Sequence, residues 1–266
     1  MKIFLLGGTK DSTNIIEHIK ENYDAFILTT TTTEYGARLA NEAGSDDTIA
    51  RPLLKDEITE IIKKDDFDIL IDATHPFAEH ITHTSATIAS ELKMPYIRFE
   101  RPTTNLENID TSHIHYVDSF DDAGKLIASE FLKGNVLHFA GANTMADIVK
   151  HISVERFYPR ILKVKSSIEK CSELNIDPEH IIPMTGAATK EENIDLIEKY
   201  GASVMITKES GEIGGVIEKI EAANEKDIAV IMIKRPEIDI LNKNDVVSNL
   251  NELDYKLKKL FLKNRL

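Results

Sequence analysis

The chain has 266 residues, 42% of them apolar and 29% charged, which is typical of a folded cytosolic protein with one large domain or two small ones. Its single cysteine, Cys171, excludes an internal disulfide and a thiolate metal cage. The formal net charge of −13 argues against binding to nucleic acid or to an anionic membrane, and an acidic substrate would need local basic residues to capture it.

The first residues, Lys2-Ile3-Phe4-Leu5-Leu6, predict a strand that leads directly into two glycines. This segment is too short for a signal peptide and carries no cleavage pattern, so we expect a cytoplasmic protein. Apolar runs further on, such as residues 228–233, have the length of a strand and are far too short to span a bilayer.

Short apolar or β-branched runs alternate along the chain with segments of helical periodicity. Many runs are continuously apolar, which is typical of strands buried on both faces of a parallel sheet that helices cover. The predicted strands are 2–7, 25–30, 68–72, 95–99, 114–117, 136–140, 159–163, 181–184, 203–207 and 228–233. The predicted helices lie near 12–21, 34–42, 54–63, 77–92, 119–131, 143–150, 166–173, 189–199, 214–224 and 251–263.

A turn-like sequence, Lys133-Gly134-Asn135, lies close to the midpoint and separates two βα series of similar length. We therefore expect an N-terminal Rossmann-like domain at 1–130 and a C-terminal α/β domain at 131–266. A (β/α)₈ barrel is the alternative at this length, but a glycine turn directly after the first strand favours the doubly wound fold. The C-terminal tail predicts an amphipathic helix that packs back on either half through Leu253, Leu257, Leu260 and Phe261.

The glycine turn is Gly7-Gly8-Thr9, between the first strand and a helix that begins near Ser12. Glycines let the backbone approach a pyrophosphate, and the amides and dipole of the helix start then stabilise its charge. The full G-x-G-x-x-G fingerprint is absent, so a tight turn without a ligand is an equally good interpretation. The second predicted strand ends in threonines, among them Thr30, with no acidic residue to bind ribose hydroxyls.

Asp72-Ala73-Thr74-His75-Pro76-Phe77-Ala78 follows the apolar strand 69–71, at the edge where open α/β sheets bind ligands. His75 is a candidate catalytic residue and Thr74 a candidate ligand, although a histidine at a strand edge is more often a structural hydrogen-bonding group. His80 and His83 have the i, i+3 spacing of a metal pair, but nothing completes a site, so we expect no metal.

Two further strand ends carry basic residues. Arg98 and Arg101 flank Glu100 after one strand and predict carboxylate binding, with a strand-end ion pair as the alternative. Thr207-Lys208-Glu209-Ser210-Gly211 follows another strand and opens a helix, which makes a second turn suited to anions. The alternative there is a bare loop, and the order of residues excludes a P-loop.

Together these motifs resemble the precorrin-6A and cobalt-precorrin-6A reductase family. The resemblance rests on Gly7-Gly8-Thr9, Tyr35-Gly36, the run from Asp72 to Ala78, Glu100-Arg101-Pro102, the Thr207–Gly211 turn and Arg235-Pro236, in that order over residues 1–236. The sequence departs from the family pattern at Met184-Thr185-Gly186-Ala187-Ala188, where relatives usually have Gly-Pro-Phe, and at Asp11, where they usually have Glu.

The resemblance implies two doubly wound domains with a cleft between them, and NADPH or NADH as the hydride donor to a corrin-precursor ring. We expect Gly7, Gly8, Thr9, Thr30, Lys208, Ser210 and Gly211 to bind the nucleotide. We expect Arg98, Arg101 and Thr74 to bind the tetrapyrrole polycarboxylate, with Lys208 and Arg160 as further cations. His75, Tyr35 or water would donate the proton.

Two other functions stay open on the sequence alone, and so do the preferred nucleotide and the oligomeric state. One is another dinucleotide-dependent enzyme of the same fold, since fold does not fix function. The other is a regulator that senses a nucleotide and binds a partner protein, for which an exposed apolar patch would be typical.

Overall fold

The computed structural model describes residues 1–263, with the side chains of residues 1–260. Its strands, β1 to β12 in chain order, are Lys2–Leu6, Phe26–Thr31, Asp47–Ala50, Ile69–Asp72, Tyr96–Phe99, Ile114–Val117, Asn135–His138, Phe157–Ile161, Ile182–Pro183, Ala202–Lys208, Ala229–Ile233 and Val246–Val247. Its helices, α1 to α10, are Lys10–Asn22, Glu34–Glu42, Lys55–Asp65, Glu79–Leu92, Phe120–Glu130, Met145–Val149, Lys165–Glu173, Lys190–Tyr200, Val216–Glu225 and Leu250–Lys263.

The strands form two open, parallel six-stranded sheets, in the orders β12-β5-β4-β1-β2-β3 and β6-β11-β10-β7-β8-β9. Reversed, the first sheet has the 3-2-1-4-5-6 order of the doubly wound dinucleotide-binding fold, with β1 as its first strand. The second sheet repeats this order from β7, except that its sixth strand, β6, precedes β7 in the chain. The expected α/β class with two doubly wound sheets is confirmed, and the barrel alternative is wrong because neither sheet closes.

The division of the chain differs from the expected boundary near residue 130. One unit is Met1–Pro102 together with the described residues from Pro236 onward, and the other is Thr103–Arg235. Strand β6 pairs with β11 of the second unit, and β12 returns to pair with β5 of the first. The expected domains 1–130 and 131–266 differ from this division, because periodicity identifies strands but not their partners; residues 264–266 lie outside the described chain.

Both faces of the first sheet are buried, which explains the continuous apolar runs. Along β1, Ile3 and Leu5 point into one core cluster while Phe4 and Leu6 point into another. Since successive side chains of a strand face opposite sides, a strand with helices on both sides must be apolar throughout.

Helix α10 belongs to the first unit. Leu253 and Leu257 are fully buried in the same cluster as Ile3, and Leu260 packs against it. The expected amphipathic tail thus packs on the N-terminal half, while the side chain of Phe261 lies outside the described residues. No helix within residues 1–263 is both long enough and apolar enough to cross a membrane.

Candidate functional site

The glycine turn joins the carboxyl end of β1 to α1 in the middle of the first sheet. The amide of Gly7 donates to the carbonyl of Thr30 at 2.9 Å, which places the turn beside the end of β2. Gly8 has a φ of +93°, a conformation that favours glycine. A Cβ on Gly8 would meet no atom closer than Thr31 at 3.8 Å, so the space above this residue is open.

Side-chain hydrogen bonds fix the shape of this turn. Ser12 Oγ accepts from the amides of Gly8 and Thr9 at 3.1 Å each, and Thr9 Oγ1 accepts from the amide of Ser12 in return. The hydroxyl of Thr9 also donates to the carbonyl of Ala73 at 2.8 Å, which ties this turn to the end of β4. The two motifs at the ends of β1 and β4 are therefore one connected structure.

A dinucleotide pyrophosphate fits the residues of this turn. The open space over Gly8 allows close approach, and α1, with 13 residues, directs its amino-terminal dipole toward it. The amide of Lys10 in the first turn of α1 has no hydrogen-bond partner within residues 1–263. The amides of Gly8 and Thr9 are held by Ser12, so they are not the principal donors to a phosphate.

At the end of β4, Asp72 is completely buried and organises the following loop. Its Oδ1 accepts from the amide of Thr74 at 3.0 Å, from Thr74 Oγ1 at 2.7 Å and from Arg98 Nη1 at 2.9 Å. Its Oδ2 accepts from the hydroxyl of Tyr96 at 3.2 Å, and burial, with the charge of Asp72, raises the pKa of that hydroxyl. The loop that carries His75 is thus anchored by a satisfied carboxylate.

Arg98 is not a surface arginine, and its expected role as a substrate ligand stays a prediction. Its side chain is 0% exposed, its Nη1 also donates to the carbonyl of Thr74 at 3.1 Å, and its Nε lies 3.3 Å from Glu100 Oε2. Although burial opposes it, the charges of Asp72 and Glu100 raise the pKa of Arg98. Arg98 and Thr74, both bonded to Asp72, hold the loop and do not reach outward.

Arg101 has the role that the sequence offered as its alternative. Its Nε lies 2.8 Å from Asp11 Oδ2, and the two side chains are only 10% and 7% exposed. This buried ion pair ties the segment after β5 to the first turn of α1. The expectation that Arg101 binds substrate stays a prediction.

The two candidate proton donors follow the ends of β4 and β2. His75 is half-buried, and its Nδ1 accepts from the amide of Phe77 at 3.2 Å, so the neutral ring carries its proton on Nε2. Tyr35 is 45% exposed in the first turn of α2, with the guanidinium of Arg38 5.2 Å from its ring centre. Both lie on the carboxyl side of the same sheet.

In the second unit, the turn after β10 corresponds to the loop after β4 in the first unit. Ser210 is buried, and Gly211 has a φ of +76°. A Cβ on Gly214 would lie 1.8 Å from Ser210 Oγ, so the turn requires glycine there. Burial lowers the pKa of Lys208, at the end of β10, to about 8.

Two more cations lie near Lys208. Arg160, at the end of β8, stacks 4.7 Å from the ring centre of Phe139 and donates to Met184 Sδ at 3.5 Å. Lys219, on α9, is 3% exposed and donates to the carbonyl of Gly214 at 2.7 Å. Burial, together with the charges of Arg160 and Lys208, lowers the pKa of Lys219 to about 7. Sequence reasoning missed Lys219.

These three residues form a group that we call the cation cluster: Arg160, Lys208 and Lys219. Within residues 1–263, neither Arg160 nor Lys219 has a carboxylate within ion-pairing distance. Glu192 acts on Arg160 and Glu218 on Lys219 only through weaker, longer-range attraction. Buried cations without a paired carboxylate favour an anionic ligand.

The loop that departs from the family pattern lies against the same turn. A Cβ on Gly215 would meet Ala187 Cβ at 3.0 Å, and Met184 contacts Arg160. His80 and His83 are exposed on α4, and among the described residues no three His, Cys, Asp or Glu side chains are placed to hold a metal ion.

A family model and individual relatives both match nearly the whole chain. Residues 2–257 match the family model described as precorrin-6x reductase CbiJ/CobK. The chain is 39% identical to a cobalt-precorrin-6A reductase of Methanothermobacter thermautotrophicus over 97% of this chain and 84% of that protein. It is also 39% identical to a cobalt-precorrin-6A reductase of Methanocaldococcus jannaschii over 90% of this chain and 92% of that protein.

A solved structure has the same fold. It is that of a CobK precorrin-6A reductase, with a TM-score of 0.76 and 16% identity over 98% of this chain and 97% of that chain. The family named by the sequence motifs is thus confirmed, and the chain belongs to the precorrin-6x reductase family.

Proposed function

We propose that this protein is a cobalt-precorrin-6A reductase, which transfers a hydride from NADPH or NADH to a double bond of the corrin-precursor ring. The observation that carries the proposal is the cation cluster at the carboxyl edge of the second sheet, in a protein whose net charge is −13. A polycarboxylate is repelled by the whole molecule and needs such a local group. Relatives of that name match nearly the whole chain.

The nucleotide is assigned to the first unit. Lys10, at the start of α1, and the open space over Gly8 suit the pyrophosphate, while Thr30 lies beside the turn, where a ribose would follow. When bound, the reduced nicotinamide supplies the hydride. Gly7 contributes by its bond to Thr30, and Thr9 by joining the turn to Ala73.

The proton is assigned to His75. The amide of Phe77 occupies Nδ1, so the donor is Nε2, and the loop is held in place by the buried Asp72. Tyr35 is the second candidate, since its hydroxyl belongs to an exposed side chain on the same side of the sheet. A variant pair, His75→Gln and Tyr35→Phe, separates the two in single-turnover measurements.

The substrate carboxylates are assigned to the cation cluster. This replaces the nucleotide-binding role expected of Lys208, Ser210 and Gly211, because one pyrophosphate is already served by the first unit, whereas a tetrapyrrole carries several carboxylates. Arg160 presents a planar fork that matches a carboxylate.

The experiment is anaerobic turnover of cobalt-precorrin-6A and of metal-free precorrin-6A with each nucleotide, followed by the loss of reduced nicotinamide absorbance. Oxidation coupled to formation of the reduced ring supports the proposal. Tight nucleotide binding without oxidation would instead indicate a sensing module. Oxidation with unrelated carbonyl compounds but not with the ring would indicate a different enzyme of this fold.

A further inference from the structure

Glu209 lies between two proposed ligand-binding residues, Lys208 and Ser210, but its carboxylate is bonded to other groups of the protein. The side chain is only 12% exposed. Its Oε1 accepts three hydrogen bonds: from the amide of Thr104 at 2.9 Å, from the hydroxyl of Thr104 at 2.9 Å and from the amide of Gly211 at 3.1 Å. One oxygen therefore fixes the glycine of the turn to a distant part of the chain.

The other oxygen of Glu209 forms an ion pair with Arg235, whose Nε also lies 3.2 Å from the carbonyl of Glu209. Thr104 and Arg235 lie at the two ends of the second unit, Thr103–Arg235. Glu209 thus connects both ends of that unit to the turn after β10. Its amide donates to the carbonyl of Ile233, which continues the pairing of β10 with β11.

The charge of Glu209 is used by these partners. Burial lowers the pKa of Lys208 to about 8. A glutamate next to a ligand-binding lysine would ordinarily attract it and reduce the local positive potential. Here the carboxylate of Glu209 is instead paired with Arg235.

We propose that Glu209 is a positioning residue, which holds Lys208, Ser210 and Gly211 in the conformation that receives a substrate carboxylate. The inference rests on the proposed function and deepens it, since Glu209 itself touches neither substrate nor nucleotide. The length of the Glu209 side chain is essential to this role, because its carboxylate must contact both Thr104 and Gly211 and also pair with Arg235.

Glu209→Asp tests the reach, because it keeps the charge and shortens the side chain by one methylene, about 1.5 Å. We expect the KM for cobalt-precorrin-6A to rise about tenfold, while the KM for the nucleotide and kcat change by less than about twofold. Glu209→Gln, which keeps one acceptor oxygen, is expected to raise the same KM less. Glu225→Gln is the matched control, since Glu225 pairs with Lys190 on the surface of the same unit.

A purely structural role makes the opposite prediction. If both Glu209 variants lower Tm but leave the KM for the tetrapyrrole within about twofold of wild type at a temperature where circular dichroism shows them folded, the inference is overturned. A rise in both KM values together would also overturn it, because it would mean general distortion.

A binding measurement separates this inference from the proposed function. Uroporphyrin, a tetrapyrrole polycarboxylate, is titrated into the full chain by isothermal calorimetry. If wild type fails to turn over cobalt-precorrin-6A but binds uroporphyrin about tenfold more tightly than Glu209→Asp does, the proposed function fails and the inference stands. If wild type turns over and Glu209→Asp matches it in both assays, the inference alone fails, and absence of uroporphyrin binding by wild type counts against both.

Discussion

In both units a carboxylate pairs with an arginine at equivalent strands, but the charges around the pair differ. Counted from β1 and from β7, β4 and β10 both occupy the fourth position, and a carboxylate lies at the end of β4 and directly after β10: the buried Asp72 and Glu209, which is 12% exposed. Each carboxylate accepts from a main-chain amide two residues further on and pairs with an arginine at or beyond the end of the fifth strand, Arg98 or Arg235.

The difference lies in what surrounds each carboxylate. Around Asp72 each arginine is paired with acids, since Arg98 faces Asp72 and Glu100, and Arg101 faces Asp11. In the cation cluster, among the described residues, neither Arg160 nor Lys219 has a carboxylate within ion-pairing distance. The same anchoring pair thus supports a turn whose arginines are paired with acids in one unit, and a turn beside the unpaired Arg160 and Lys219 in the other. We therefore expect the substrate carboxylates to bind at the cation cluster.

Replacement of the buried Arg98 should give the largest effect of all, on the stability of the protein. Arg98→Met leaves Asp72 charged, buried and without its main partner, so we expect the free energy of unfolding to fall by about 3–5 kcal/mol. Urea denaturation measures it. Arg51→Met, which removes an exposed pair with Glu57, is the control and should cost at most about 1 kcal/mol.

The KM for the tetrapyrrole should stay unchanged in Arg98→Met at a temperature where the variant is folded. A large rise in that KM with unaltered stability would show that Arg98 binds substrate, and would break the distinction between the two units.

The sequence predicts most strands of this protein but not the ion pairs between them, as Arg98 illustrates. Ten of the twelve strands of the described chain coincide with predicted runs, because their apolar character is local. The other two, β3 and β12, escape notice because β3 is half-exposed and acidic at its start, and β12 has only two residues. The pairing of Arg98 with Asp72 depends on the register of β4 against β5, which no local pattern specifies.

Lys219, in contrast, is a buried residue that the sequence pattern could have identified. A lysine on a helix is normally read as solvated, yet Lys219 lies three residues after Val216 and beside Ile220, on the apolar stripe of α9. A lysine within such a stripe is a signal for a buried cation, and the sequence contained it. Its approach to Arg160 and Lys208 depends on the packing of α9 against the sheet and was beyond prediction.

Replacement of Arg160 by an uncharged residue should give the next largest effect. Here we expect kcat/KM to fall and stability to hold, the reverse of the result expected for Arg98. Arg160→Met removes a cation that lacks an acidic partner, so stability should hold while kcat/KM for the tetrapyrrole falls about tenfold to a hundredfold. Steady-state kinetics and a thermal melt on one preparation measure both. Lys190→Met, at an exposed ion pair of the same unit, is the control. A loss of Tm without a change in kcat/KM would refute the substrate role.

The cation cluster should also make substrate binding pH-dependent. Lys219 and Lys208 have pKa values of about 7 and about 8 in the folded protein, against about 10.4 for an unfolded lysine. Between these values the unfolded chain binds more protons, so the contribution of both lysines to stability rises with pH. Their positive charge falls over the same range, so the KM for the tetrapyrrole should rise about tenfold from pH 7 to pH 9.

Glu218 and Arg160 also act on Lys219, the first by attraction and the second by repulsion. The nucleotide KM is the internal control, because the nucleotide is assigned to the first unit and not to the cation cluster. Lys219→Met should flatten the upper part of the profile. An unaltered profile in both Lys219→Met and Lys208→Met would exclude the cluster as its source.

The first unit is tested at its glycine turn. Gly8→Ala places a Cβ in the open space proposed for the pyrophosphate and strains a φ of +93°, so the nucleotide dissociation constant should rise about tenfold. Gly44→Ala is the matched control, since Gly44 has a φ of +103° at a loop away from the turn. Equal nucleotide affinities in the two variants, measured by calorimetry, would remove the site from this turn.

The smallest expected effect concerns the choice of nucleotide. Beyond β2, Thr31 Oγ1 donates to the carbonyl of Thr33, and Thr33 caps α2 by accepting from the amide of Gly36. These threonines offer hydroxyls and no carboxylate, so a 2′-phosphate meets no direct repulsion and both NADPH and NADH should be accepted. Glu34, the first residue of α2, is the nearest acid and should weaken NADPH slightly.

Glu34→Gln should therefore raise kcat/KM for NADPH about twofold to threefold and leave that for NADH unchanged. Glu42→Gln, at the far end of α2, is the control and should alter neither. The effect is small because Glu34 is exposed, and added salt should abolish it, since screening acts on exposed charges. A strict requirement for NADH in wild type would show that an acidic group meets the ribose after all, and the first unit would then share with the second a charge that selects its ligand.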